Sequence, residues 1–240
     1  MTLIAAWITN DFRVIASDAC CLDGLDSPSV CQKVFANNNI AIGLYGSSTP
    51  MKREELNNIL QQHQEINTDK FYALVREKLK NDICENGANI DFENRHVTHI
   101  LVLTKSNTPH IICMQRGCRP YFDSLENYLK KIGSLITCEL FFSEQEETNY
   151  HGLLLKYFER IKAILKFNSS EVNESSLTEL FKEFFSAIYY ESELKKKTIG
   201  GNKIYMAYCL QKSFWNQIEF SPILYDDYRF RKIFNERFQY

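Results

Sequence analysis

Residues Thr2 to Asp18 read TLIAAWITNDFRVIASD. Leu3 to Ile8 is an almost unbroken apolar run and Phe12 to Ser17 is a second, with the turn-favouring residues Thr9, Asn10 and Asp11 between them. This spacing predicts an antiparallel hairpin. Because the hydrophobicity is continuous rather than alternating, both faces of these strands must be covered, as in a sheet held between two other layers.

Working outward, Val30 to Ala36 and Ile40 to Tyr45 read as two more strands joined across the Asn37-Asn38-Asn39 turn. The period then changes. Ser48, Thr49 and Pro50 suit a helix start, and Leu56, Ile59 and Leu60 form one apolar face behind it. Thr68 opens a second helix, with Phe71, Leu74, Val75 and Leu79 as its stripe. Val97 to Thr104 and His110 to Gln115 return to strand character around the Ser106 to Pro109 turn, and a short extended piece is expected at Pro120 to Phe122. A second helix pair follows. Leu154, Phe158, Ile161 and Leu165 mark its first member, while Ser176 and Glu179 form a capping box for Leu177, Phe181, Phe184, Phe185 and Ile188. After Gly200-Gly201, strands are expected at Lys203 to Leu210 and around Trp215 to Phe220.

Strand-rich segments thus alternate with helix pairs, which predicts an α+β fold, a four-layer αββα sandwich of two antiparallel sheets. The 240 residues carry 45% hydrophobic residues with 9 Gly and 5 Pro, enough for a sizeable core and incompatible with a disordered or collagen-like chain. No linker, repeat or composition shift divides them, so residues 1–240 are expected to form a single domain. An aromatic and basic extension begins at about 225, where Tyr225, Tyr228, Phe230, Phe234, Phe238 and Tyr240 are interleaved with Arg229, Arg231, Lys232 and Arg237.

Charge adds little direction. With 28 Lys+Arg against 30 Asp+Glu the formal net charge is −2, so no global field recruits nucleic acid or an anionic membrane. No apolar run approaches the roughly 18–20 residues of a spanning helix and no signal-like N-terminus is present, so a cytoplasmic protein is expected. The eight cysteines show no Cys-x-x-Cys spacing and read as buried, reduced thiols. His96 and His99, with His110 nearby, do not suggest a metal site, because strand residues three apart point to opposite faces.

The chemistry is carried by the first residues. Methionine aminopeptidases remove Met1 when the next side chain is small, which would make Thr2 N-terminal. Such a threonine holds a nucleophilic hydroxyl and its own general base, the α-amine. That amine titrates near neutrality when unperturbed, at about 7.7–8.0, and a nearby cation pushes its pKa down and keeps it neutral. Lys33, paired with Asp18, is the candidate source of that field.

These residues resemble the proteasome β-subunits and the related bacterial proteasome-like peptidase of the two-component heat-shock protease. Thr2-Leu3-Ile4-Ala5-Ala6 is similar to the start of a mature subunit, and Val14 to Asp18 to the second strand with its aspartate, at the family's own spacing of 16 from Thr2. Gln32-Lys33-Val34 resembles the strand with the catalytic lysine. Gly43-Leu44-Tyr45-Gly46-Ser47 resembles the glycine turn, and Lys131-Ile132-Gly133-Ser134 the Gly-Ser motif. Gly200-Gly201 resembles the glycine pair near the end of the family's fourth helix.

The resemblance implies an N-terminal nucleophile hydrolase that cleaves peptide or amide bonds. Thr2 would be the nucleophile, Lys33 would tune its amine and Asp18 would orient Lys33; Gly46 would supply the oxyanion N–H, and Ser134 would hydrogen-bond the amine. It further implies a homo-oligomer such as a ring, a peptide or protein substrate, and an unfoldase as gating partner, with no metal or organic cofactor needed. The alternative is a catalytically inactive, proteasome-like scaffold or binding subunit. Its support is that Lys196 and Ile199 stand where the β-subunits carry an Asp and a Ser, and that a retained Met1 would leave Thr2 without a free amine.

Overall fold

A computed structural model describes residues 4–8, 12–21, 29–46, 50–92, 96–105, 108–132, 139–142, 174–195, 201–210 and 213–223. The opening hairpin is formed by β1 (Ile4–Ile8) and β2 (Phe12–Asp18), antiparallel in a register from Ile4↔Ser17 to Ile8↔Arg13. Two short strands, β3 (Cys20–Cys21) and β4 (Ser29–Val30), pair with each other, and β5 (Val34–Ala36) pairs with β6 (Ile40–Gly46). The single strand expected at Val30 to Ala36 is therefore two, because the backbone leaves the sheet at Cys31 to Lys33. Asn37 closes the following turn, its side-chain oxygen accepting hydrogen bonds from the Asn39 and Ile40 amides.

Helices α1 (Pro50–Gln62) and α2 (Thr68–Lys78) follow, the second capped by Asn67 rather than opened by Thr68, since the Asn67 side chain accepts from the Lys70 amide. Then come β7 (Ile83–Ala88), β8 (Thr98–Thr104), β9 (His110–Met114), β10 (Tyr121–Ser124), α3 (Leu125–Ile132), β11 (Glu139–Phe142), α4 (Glu174–Lys195), β12 (Ile204–Leu210) and β13 (Asn216–Phe220). Helix α4 starts at Glu174, so Ser176 lies within it and is not its cap. The helix expected at Leu154 to Leu165 and the extension from 225 lie outside the described residues.

Two five-stranded sheets result, one in the order β11-β1-β2-β12-β13 and the other β10-β9-β8-β6-β5. Every pair is antiparallel except β1 with β11, which run parallel, so the first sheet carries one parallel edge. The period-2 alternation of side chains explains why whole strands are apolar. Ala41 and Tyr45 of β6, with Leu101 and Leu103 of β8, face the other sheet, where Ile4, Ala6, Ile15 and Ala207 meet them. Ile40, Ile42 and Leu44 face the opposite way, onto Leu56, Ile59 and Leu60 of α1 and Phe71 and Val75 of α2.

The outer face of the first sheet is covered by α4. Trp7 lies 4.9 Å, centroid to centroid, from Phe184, and Phe12 lies 5.3 Å from Phe181. Each such fully buried large side chain contributes about 1.5–3 kcal/mol. The layers are thus helix, sheet, sheet, helix, the four-layer αββα sandwich expected from the sequence. Among the described residues no helix is long and apolar enough to cross a membrane.

Candidate functional site

The inner strands β2 and β6 end near two groups that the sequence singles out. Asp18 is the last residue of β2 and Lys33 precedes β5; their side chains are 0% and 2% exposed. Lys33 Nζ donates to Asp18 Oδ1 at 2.9 Å and to the Cys20 carbonyl, while Asp18 Oδ2 accepts from the Cys20 amide at 3.2 Å. One carboxylate thus organises both the ammonium and the turn after β2. Burial pulls the Lys33 pKa below its ordinary value, and the positive charge of Arg53 on α1 pushes the same way, whereas the Asp18 carboxylate opposes both.

The pair is tied to its surroundings through the backbone. Leu44 N–H donates to the Lys33 carbonyl at 2.9 Å, linking Lys33 to β6 two residues before Gly46. Cys31 N–H donates to the Ala19 carbonyl at 2.8 Å, drawing the segment before Lys33 against the one after Asp18. Gly201, at φ +91°, presses on the same place, since a Cβ there would come within 2.9 Å of the Ala19 carbonyl carbon. That close approach explains the glycine. On the other side, Ile4 pairs with Ser17, so β1 begins beside the residue preceding Asp18.

Gly46 closes β6 opposite Thr98 of β8, at φ +80°. A Cβ at this position would sit 2.1 Å from the Val97 carbonyl oxygen, so only glycine fits. Thr98 is fully buried, and its Oγ1 accepts from Lys52 Nζ at 3.2 Å; Lys52 also lies 3.5 Å from Asp82. The structure therefore brings Asp18 and Lys33 together and fixes Gly46 at the end of a strand hydrogen-bonded to the Lys33 backbone. Thr2 and Ser134 lie outside the described residues.

Several residues at this site carry no sequence signal of their own. Arg53 is buried and acts on Lys33 through space, and His99 stacks under Tyr45 next to Gly46. Both depend on which strand and helix meet which, a matter of register. The cysteines depart from the reduced, buried expectation at two positions. Cys84 is exposed, and Cys31 is disulfide-bonded, whereas Cys20, Cys113, Cys118 and Cys209 are free and buried. Among the described residues no group of three or more His, Cys, Asp or Glu side chains could hold a metal ion.

No family model matches the chain, and no curated protein sequence does. Solved structures similar to it include Anbu proteins. The Anbu (ancestral beta-subunit) of Yersinia bercovieri is 12% identical over 98% of this chain and 94% of its own, with a TM-score of 0.49. The Pseudomonas aeruginosa Anbu complex, solved as a helical assembly, is 14% identical over 98% and 92%, with a TM-score of 0.46. A Gly-1 mutant of Anbu from Hyphomicrobium sp. strain MC1 is 15% identical over 93% and 87%, with a TM-score of 0.42. The expected membership among proteasome β-subunits or two-component peptidases is corrected, the similar structures named above being Anbu proteins. Of the residues behind that expectation, Asp18 and Gly46 end β2 and β6, and Lys33 lies just before β5.

Proposed function

We propose that the chain is a threonine-type N-terminal nucleophile hydrolase acting on peptide or amide bonds. The observation that carries this reading is Lys33, buried and held by Asp18 and the Cys20 carbonyl, where Asp18 ends β2, the strand that pairs with β1 from Ile4 onward. Thr2 Oγ attacks the substrate carbonyl and the Thr2 amine takes the hydroxyl proton, then delivers it to the leaving amine. A fixed positive charge nearby keeps that amine neutral, and therefore basic, at physiological pH. The oxyanion of the tetrahedral intermediate accepts from the Gly46 N–H, a kind of contact whose removal costs about 10²–10³ in kcat. Water then hydrolyses the ester left on Thr2.

Intact mass spectrometry of the protein from its native host tests the first requirement, because a quantitatively retained Met1 excludes threonine catalysis. Thr2→Ala is expected to abolish labelling by a threonine-directed electrophile, and undiminished labelling would sink the assignment. The second reading, an inactive scaffold subunit, is favoured by Lys196 and Ile199, and predicts a retained Met1 with no labelling in either protein. A homo-oligomeric state belongs to both readings and is checked by native mass spectrometry.

A further inference from the structure

Beneath the Gly46 turn lies a histidine that the proposed chemistry does not use. β6 and β8 place Tyr45 opposite His99 and Gly46 opposite Thr98. Directly opposed residues share a face, and the two rings stack with centroids 4.3 Å apart and planes inclined by only 4°. From its other side His99 meets the edge of Tyr128 on α3, 6.1 Å away at 71°. Tyr128 is held in turn by edge contact with Phe92 and a tilted contact with Tyr121. The imidazole thus sits in a built aromatic slot, 5% exposed.

Its polar capacity goes unused. Among the described residues neither Nδ1 nor Nε2 has a hydrogen-bond partner, and burial drives the ring's pKa down to about 3, so it is neutral near pH 7. A ring with no charge and no hydrogen bond contributes its shape. The ring borders the space beside Gly46, since a Cβ built on Gly46 would lie 3.3 Å from His99 Nδ1 and 2.1 Å from the Val97 carbonyl oxygen. The space beside the left-handed Gly46 is therefore bounded by the Val97 carbonyl and by the imidazole at Nδ1.

We propose that His99 is a positioning residue, whose flat ring, packed against Tyr45 and Tyr128, holds the left-handed Gly46 backbone so that its N–H keeps one direction. The inference rests on the hydrolase reading for its catalytic consequence, but not for its structural one. An oxyanion donor acts in the transition state and not on the bound substrate, so misaligning it lowers kcat and leaves KM nearly unchanged. The plane of the ring is what matters, and its nitrogens are dispensable.

The test compares His99→Phe, which keeps a flat ring, with His99→Leu, which fills the slot without one. The readouts are kcat and KM on a peptide amide substrate and the exchange rate of the Gly46 amide hydrogen by NMR. His99→Leu is expected to lose about tenfold or more in kcat at near-constant KM, a part of what deleting the donor outright would cost, and to speed Gly46 exchange. His99→Phe is expected to keep both within about threefold on the same scale. Wild-type kcat and exchange in His99→Leu would overturn the proposal. So would a folded His99→Phe with a large kcat loss or fast Gly46 exchange, because the nitrogens would then be needed, and this variant decides the matter even where His99→Leu does not fold. Should the wild type hydrolyse nothing, the hydrolase reading fails by itself, and the exchange rates still decide for or against the positioning role.

Discussion

The ends of β2 and β6 bury ionisable side chains to nearly the same depth and treat them in opposite ways. At β2, Asp18 and Lys33 are paired with each other: Lys33 Nζ donates to a carboxylate oxygen and a carbonyl, and the carboxylate accepts from an amide as well. At β6, His99 is nearly as enclosed but is kept neutral, and among the described residues neither of its nitrogens has a hydrogen-bond partner. The first site spends desolvation on a field, which a nearby amine would feel. The second gives up hydrogen bonds for a rigid plate, which a neighbouring backbone turn would feel. Depth of burial alone does not distinguish an electrostatic role from a steric one; satisfaction of the polar atoms does.

The contrast breaks most visibly at Lys33. Lys33→Met removes the cation that neutralises a fully buried carboxylate, and stripping one member from such a pair is expected to cost about 3–5 kcal/mol. Adding Asp18→Asn should recover most of that loss, because the remaining charge is removed with it. Urea denaturation of the two single variants and the double variant measures the coupling. If the two losses simply add, the pair is not the interaction that the geometry indicates. Activity, where present, should not return in the double variant even when stability does, since the field is gone.

How much of this was legible beforehand follows the same division. The hairpin Ile4 to Asp18 and the strand Ile40 to Gly46 were readable because both faces of each are covered, which leaves an unbroken apolar run. Asp18 is readable as a candidate from its spacing of 16 from Thr2, and Lys33 from the Gln32-Lys33-Val34 motif, although the loop from Asp18 to Lys33 is one residue shorter than the resembled pattern. β7 was not, since Ile83 to Ala88 is mostly exposed and carries no hydrophobic period. α3 was overlooked although Ser124 lies at its start, its Oγ accepting from the Asn127 amide, a signal that could have marked it. The parallel strand β11 was missed because four residues, Glu139 to Phe142, carry no periodicity and no turn ties them to β1. The role of His99 was beyond reach for a different reason. Its contact with Tyr45 and Gly46 exists only in one register of β6 against β8, and register is a tertiary property.

A second experiment sharpens the comparison from the His99 side. Its folded-state pKa of about 3 lies below the ordinary histidine value, so between the two the folded protein binds fewer protons than the unfolded chain. Stability from this group is therefore complete above about pH 6.5 and is lost as the pH falls towards 3. Relative to neutral pH, the loss at pH 4 should be about 3 kcal/mol in the wild type and absent in His99→Phe, with carboxylate contributions common to both. Urea midpoints at the two pH values supply the four numbers needed. Parallel acid sensitivity in the two proteins would mean that the ring reaches water or a partner, and the contrast with Lys33 would dissolve.

The smallest expected effect separates the ring from the strand that carries it. Thr98 lies next to His99 in β8, directly opposite Gly46, and its Oγ1 accepts from Lys52 Nζ at 3.2 Å. Thr98→Val keeps the shape and removes that acceptor, while Lys52 retains Asp82 at 3.5 Å. The net change should therefore be about 1 kcal/mol, near the value of a single hydrogen bond rather than of an abandoned charge. Because the β6–β8 backbone pairing does not pass through the hydroxyl, Gly46 amide exchange should stay at the wild-type rate when corrected for that global loss. Should Thr98→Val instead loosen Gly46 as much as His99→Leu does, the turn answers to β8 as a whole, and the imidazole has no special claim on it.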